Sequence, residues 1–306
     1  MAPAQIVCVR REGGRNDLFV NGYYLATIND NSFAGNNYVG VANWWAYNEG
    51  DGAASGFDDF TMHGIGTVYQ DDYTDVGSGW AVGDIEICQS VYGGGEYRTI
   101  SQPNYFCWFT SPSDAQFNGR FRATMRRDAG RYQLAYGVIA GVSVSTDNNG
   151  EIFADSFYAL LVVPDTQSYA LAKYVDGLGW LGMTWNEIDE TAWLFSDVVN
   201  GNTFTNDLEL ERDGNLLRIR INGTPLGTYV DPLPLAGGYY GLINWSSQLE
   251  EARANFDNYR VVTWDDGGFS GQQNVVSRPS SGQVPQTPTG DLLKMKRLEG
   301  VQKVEE

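Results

Sequence analysis

Leu217-Arg218-Ile219-Arg220-Ile221-Asn222-Gly223-Thr224-Pro225-Leu226-Gly227-Thr228-Tyr229-Val230 decides the fold of this chain. Leu217, Ile219 and Ile221 alternate with Arg218 and Arg220, the period of a strand with one face in a core and the other in water. Asn222-Gly223 suits a two-residue hairpin, because both residue types tolerate positive φ. The stretch therefore reads as two antiparallel strands and their turn. A second such signal lies near the start, where Asn21-Gly22 separates Leu18-Phe19-Val20 from Tyr23-Tyr24-Leu25.

The two hairpins belong to a longer repetition, offset by about 201 positions. Arg11-Glu12-Gly13 answers Arg212-Asp213-Gly214, and Gly40-Val41-Ala42-Asn43-Trp44 answers Gly241-Leu242-Ile243-Asn244-Trp245. Phe57-Asp58-Asp59 answers Phe256-Asp257-Asn258. Only the second set is preceded by a domain's worth of sequence. Residues 1–66 are thus expected to be the C-terminal part of a truncated repeat, and 67–264 a complete domain. Residues 265–290, rich in Gly, Ser, Gln and Pro, read as a flexible linker. Residues 291–306 carry Leu292, Met295, Leu298 and Val301 at helical spacing, which predicts a disordered tail or a short amphipathic helix.

Within the complete domain, short apolar runs bounded by turn residues predict strands over 83–88, 96–100, 105–109, 117–125, 133–142, 155–163, 168–174, 178–185, 205–212, 239–244 and 254–263, besides the hairpin. Only 186–193 has helical character. This many strands predicts an all-β fold, an antiparallel sandwich or jelly roll. The 306 residues are 42% hydrophobic, with 9 Trp, 18 Tyr and 14 Phe, ample for a large core.

The net charge of −18 argues against nucleic-acid binding, which needs clustered Lys and Arg. Lys173 is the single lysine before residue 290, so no basic stripe exists there. No run of apolar residues is long enough to span a membrane. No apolar stretch typical of a signal peptide follows Met1, and a truncated N-terminus is expected to account for that. Cys88 and Cys107 fall in neighbouring predicted strands and could meet across a sheet, but two small buried apolar side chains are the favoured reading.

The order of motifs in the complete domain resembles the concanavalin A-like lectin/glucanase superfamily, in its LamG-like or glucan-binding jelly-roll branch. The pieces are Gly79-Trp80-Ala81-Val82-Gly83-Asp84, Gly95-Glu96-Tyr97-Arg98, Gln102-Pro103-Asn104-Tyr105 and Tyr169-Ala170-Leu171-Ala172-Lys173-Tyr174. The hairpin, Gly241-Leu242-Ile243 and Phe256-Asp257-Asn258-Tyr259 close the set. The resemblance implies two stacked antiparallel sheets, the concave one often holding sugars. It also implies an extracellular or cell-surface setting, with members serving as binding, adhesion or glycosidase modules.

Retaining glucanases of that superfamily carry Glu-x-Asp-x-x-Glu or Glu-x-Asp-x-Glu on one strand, so that alternate positions place the acids on one face. Glu187-Ile188-Asp189-Glu190-Thr191-Ala192 lacks the final acid in both spacings, and Asp84-Ile85-Glu86 lacks a third. His63 is the only histidine, which removes His-based triads. A non-catalytic glycan-binding module is therefore expected. Sugar rings stack on aromatic faces, and 158–193 is rich in them; Trp180, Trp185, Tyr174 and Tyr158 are the candidates. Trp245, repeated as Trp44, reads as structural. By the resemblance, Asp257 together with Asp72 and Asp75 would hold a structural Ca²⁺, oxygen ligands being what that cation takes. Asn222-Gly223-Thr224 and Asn244-Trp245-Ser246 match glycosylation sequons but are discounted. The alternatives are a structural or adhesive protein, self-associating through its incomplete N-terminal repeat, and a divergent glycoside hydrolase.

Overall fold

The structure is a computed structural model that describes residues 7–12, 15–20, 23–29, 65–85, 87–112, 116–128, 135–146, 148, 152–246, 250–264, 295–299 and 301–304. The Asn21-Gly22 turn, the Gly40–Trp44 and Phe57–Asp59 motifs, His63, Glu86 and the 265–290 linker lie outside the described residues.

The chain forms two compact units. The first contains β1 (Val7–Glu12), β2 (Arg15–Val20) and β3 (Tyr23–Asn29), an antiparallel meander. The second begins with β4 (Ile65–Asp71), β5 (Gly83–Ile85), β6 (Cys88–Tyr92), β7 (Tyr97–Ser101) and β8 (Phe106–Thr110). It continues through β9 (Gly119–Arg127), β10 (Ala135–Thr146), β11 (Ile152–Val163), β12 (Ser168–Val175), β13 (Gly179–Gly182) and β14 (Leu194–Phe195). The hairpin region gives β15 (Asn206–Asp213), β16 (Leu216–Ile221) and β17 (Thr224–Val230). The chain ends with β18 (Tyr239–Trp245), β19 (Ala252–Trp264), β20 (Lys296–Arg297) and β21 (Gln302–Val304).

The second unit is an all-β, jelly-roll sandwich of two sheets. One runs β20-β13-β12-β11-β10-β18-β8, with β14 on β12; the other runs β21-β17-β16-β15-β9-β19-β7-β6-β5, with β4 on β19. Alternation fixes which side chains enter the space between them. Leu208 and Leu210 of β15 and Leu217, Ile219 and Ile221 of β16 point inward against Tyr136, Val138, Leu160 and Leu242 of the facing sheet. The Asn222-Gly223 turn takes φ of 52° and 79°, the two positive values its sequence predicts.

The meander of the first unit has the same pairing as β15–β17. Val7 faces Val20 as Leu208 faces Ile221, and Arg15 faces Asn29 as Leu216 faces Val230. The irregularity between Leu18 and Phe19 falls where β16 has one between Ile219 and Arg220.

Three local expectations change. Residues 186–193 are not helical: Asn186 and Thr191 form an isolated bridge that closes a turn, because the Asn186 amide oxygen accepts the Ile188 N–H and stabilises a bend there. Among the described residues of the C-terminal segment, Lys296–Arg297 and Gln302–Val304 are strands and none is helical. The edges of β13 and β17 offer its backbone hydrogen-bond partners, and a lone short helix has no such support. Finally, Cys88 and Cys107 are a disulfide, with Cα atoms 5.9 Å apart. It joins β6 of one sheet to β8 of the other, so the two meet across the core and not within a sheet.

Candidate functional site

The sheet containing β10, β11 and β12 is apolar on both faces. One face belongs to the core between the sheets; the other carries a second cluster that includes Phe106, Trp108, Phe157, Tyr174, Trp193 and Trp245, with Trp180 and Trp185 packed against it half-buried. Register explains the grouping, since side chains of paired residues share a face. Phe157 pairs with Tyr174 and Tyr174 with Trp180, making an aromatic row across β11, β12 and β13. Phe106 pairs with Trp245 across β8 and β18.

The two groups meet. Trp180 stacks on Trp245 with centroids 4.4 Å apart and planes 23° from parallel, and lies 5.4 Å from Phe106. Phe106 is also 5.4 Å from Tyr174, which stacks on Phe157 at 5.1 Å. In sheet order β13 and β18 are four spacings apart, roughly 19 Å if the sheet were flat. Ring contact between them therefore requires the sheet to curl strongly, and the concavity is filled with its own aromatic side chains.

Trp180 is the edge of this filling. Among the described residues its indole N–H is buried without an acceptor. The connection after β13 folds back over the strand. The Thr184 hydroxyl donates to the Ala192 carbonyl at 2.6 Å, and a Cβ on Gly182 would come within 2.5 Å of Ala192 Cβ, so only glycine fits there. Trp185 stands on this connection. Beyond it lies the acidic turn: Glu187 pairs with Arg297 at 2.9 Å, Ile188 is 91% exposed, and Asp189 accepts from the Asn186 amide. Carboxylates at the tip of a turn do not share a face as strand positions would.

Of the four aromatic residues expected to bind sugar, Tyr174, Trp180 and Trp185 are associated with this face. Tyr158 is not. It points into the core between the sheets, where its hydroxyl donates to Asp231 at 2.6 Å and accepts from the Leu235 N–H at 2.9 Å. Burial, and then the charge of Asp231, push its pKa far up. Phe106, Phe157 and Trp245 were missed as parts of the face. Trp245 is structural, as its repetition suggested, yet it is also the surface on which Trp180 rests.

The acidic residues considered for calcium lie elsewhere, on the other sheet. Asp257 sits at an irregularity of β19, next to Asn258 with φ of 49°. β19 pairs with β4, which brings Asp72 near enough for its charge to act on Asp257. Asp72 accepts the Thr74 hydroxyl and N–H, which hold its pKa low, and Asp75 accepts the Gly77 N–H within its own turn. Among the described residues no group of three or more His, Cys, Asp or Glu is arranged to hold a metal ion. Both sequon asparagines are used internally: Asn222 donates to Val198 and Asn206, and Asn244 is fully buried.

No known family pattern matches the chain, and no curated protein matches it. Solved structures do. The carbohydrate-binding module CBM66 from Bacillus subtilis is similar with 16% identity and TM-score 0.39, over 65% of this chain and 94% of that one. The Bacillus licheniformis β-glucanase has 13% identity and TM-score 0.42, over 64% and 97%. The laminarinase catalytic domain from Thermotoga maritima has 10% identity and TM-score 0.45, over 65% and 98%. At these values the likeness concerns the arrangement of strands alone. Among the described residues no helix is long and apolar enough to cross a membrane.

Proposed function

We propose that the second unit is a non-catalytic glycan-binding module whose platform is the aromatic face at Trp180, Trp185 and Tyr174. The observation that carries this is Trp180: a half-buried indole stacked on a second indole, on strand β13 between β12 and the short β20. Such a ring offers a flat apolar surface for the C–H face of a sugar. The platform residues are aromatic, and the nearby acids stand on the 186–191 turn, which supports binding rather than cleavage.

The Cys88–Cys107 disulfide supports an extracellular or cell-surface setting, because such bonds persist in oxidising compartments. The common register of β1–β3 and β15–β17 supports the first unit as the tail of a preceding copy, within a modular protein.

One observation favours a second reading, that of an adhesive or self-associating protein. The face of the first unit equivalent to the core face of β15–β17 leaves Val7, Val9, Leu25 and Ile28 at least half exposed.

A glycan array with the full chain, followed by titration of the best polysaccharide against Trp180→Ala and Trp185→Ala, tests the proposal. Each substitution is expected to weaken binding about tenfold. Silence on every polysaccharide, with concentration-dependent assembly in light scattering, would favour the adhesive reading.

A further inference from the structure

The C-terminal segment crosses the open edge of the sandwich. β20 adds to β13 in parallel, with Leu181 opposite Lys296 and Gly182 opposite Arg297. β21 adds to β17 of the other sheet, pairing Thr228 with Val304 and Val230 with Gln302. Met295 precedes β20 and belongs to the aromatic cluster at 4% exposure, while Leu298 and Val301 pack against the core between the sheets. Register puts Met295 on the same side as Trp180, one position before the Leu181–Lys296 pair.

This strap is lightly held. It has two short strands, a hydrogen bond from the Leu298 N–H to the Gly182 carbonyl at 2.9 Å, and an ion pair between Arg297 and Glu187 in which both side chains are about half exposed or more. Leu298 and Val301 are only partly buried. Short pieces of backbone on a sheet edge are the first to open. The strap is also basic. Within Met295–Val304, Lys296, Arg297 and Lys303 stand against Glu299, with Glu305 and Glu306 following, in a chain of net charge −18 with few other lysines. Charge attraction between strap and body weakens with salt. The connection from Trp264, residues 265–294, is long enough in sequence for the strap to leave without unravelling β19.

We propose that Met295–Val304 is a displaceable cover, and that the strap and a glycan compete for the face around Trp180. This rests on the glycan-binding reading above. A platform covered part of the time binds with an apparent affinity reduced by the fraction that is open. An uncharged polysaccharide makes no ion pairs for salt to screen. A gain in its affinity at high salt that a chain without the strap does not share must therefore come from loosening the strap.

The test measures affinity for laminarin and hydroxyethylcellulose, both uncharged, at low and high salt. It compares the full chain with the chain ending at Lys294. Met295→Asp and Arg297→Glu in the full chain serve if the shortened chain is poorly folded. The shortened chain is expected to bind about tenfold more tightly at low salt and to be indifferent to salt, whereas the full chain gains several-fold as salt rises. Amide exchange over 296–304 should speed up when the polysaccharide is added to the full chain. Equal affinities at both salt levels, with exchange unchanged, overturn the cover alone. Binding by neither form overturns the platform and the cover with it.

Discussion

Lys173 donates a hydrogen bond from Nζ to Asp231 Oδ2 at 2.8 Å inside the sandwich, with side chains 5% and 0% exposed. The pair is the centre of a network. The Tyr158 hydroxyl donates to the same carboxylate oxygen, and the Leu233 N–H donates to the other at 2.9 Å. Arg212 lies 5.5 Å from the Tyr158 ring centroid and donates to the Gly237 carbonyl at 2.6 Å. Together these groups tie residues 231–237, the connection from β17 to β18, to strands β11, β12 and β15.

Removing one partner of such a pair leaves the other charge buried and unsolvated. Asp231→Ala is expected to lower stability by about 3–5 kcal/mol, whereas Lys173→Met combined with Asp231→Leu recovers much of the loss. Urea unfolding of the two variants beside the parent chain checks this. A single-variant loss below about 1 kcal/mol would mean that water reaches the pair.

The Cys88–Cys107 disulfide spans 19 positions and links the two sheets. In the chain-entropy account, a loop of that length is worth about 3 kcal/mol through its effect on the unfolded chain. Cys88→Ala with Cys107→Ala should therefore lower the urea midpoint substantially without changing the strand content seen by circular dichroism. Wild-type protein unfolded with and without reductant gives the same comparison with no substitution.

The hairpin at Asn222–Gly223 was legible because its signals are local: alternation in β16 and two residues that accept positive φ. The strands β10 and β11 were legible as strands, but only the second cluster makes plain that they are buried on both faces. Sequence could not say which face Tyr158 takes, because Phe157, Tyr158 and Ala159 are apolar in succession. The disulfide and the strap depend on partners distant in the chain, β8 for Cys88 and β13 and β17 for the tail. The spacing of Met295, Leu298 and Val301 fits a helix as well as it fits a segment passing over an edge. Trp180 stood out in the sequence only as one of the aromatic residues of 158–193; its contact with Trp245 needed the curl of the whole sheet.

The matching registers of the two meanders allow a paired experiment. Val9 faces Leu18 in the first unit as Leu210 faces Ile219 in the second. Leu210 is fully buried, and Val9 is 57% exposed. Leu210→Ala is expected to cost about 2–5 kcal/mol, and Val9→Ala no more than about 0.5 kcal/mol. Thermal unfolding of each variant decides it. A large loss from Val9→Ala would show that its face is covered in solution, as the self-associating reading requires.

Asp257 gives the chain a pH dependence whose sign can be worked out. Its pKa is raised, first by burial and then, against the Asn258 N–H that it accepts at 2.7 Å, by the charges of Glu96 and Asp72. Glu96 is itself held by Arg126 and Asn255, and Asp72 by Thr74, so neither moves away readily. A carboxyl whose folded pKa exceeds its unfolded one disfavours folding when charged. That penalty is complete above the folded pKa and vanishes below the unfolded pKa. Asp257→Asn keeps an oxygen for the Asn258 N–H and removes the charge. Because the group is partly exposed, solvent screening reduces the effect, and at neutral pH the substitution should raise Tm by only about 1–3 °C. As the pH falls through the carboxylate range the gain should shrink to nothing, since wild-type Asp257 is then neutral as well. Melting curves of both proteins from neutral to acid pH test this, and a stabilisation that persists unchanged in acid would assign it to something other than the Asp257 charge.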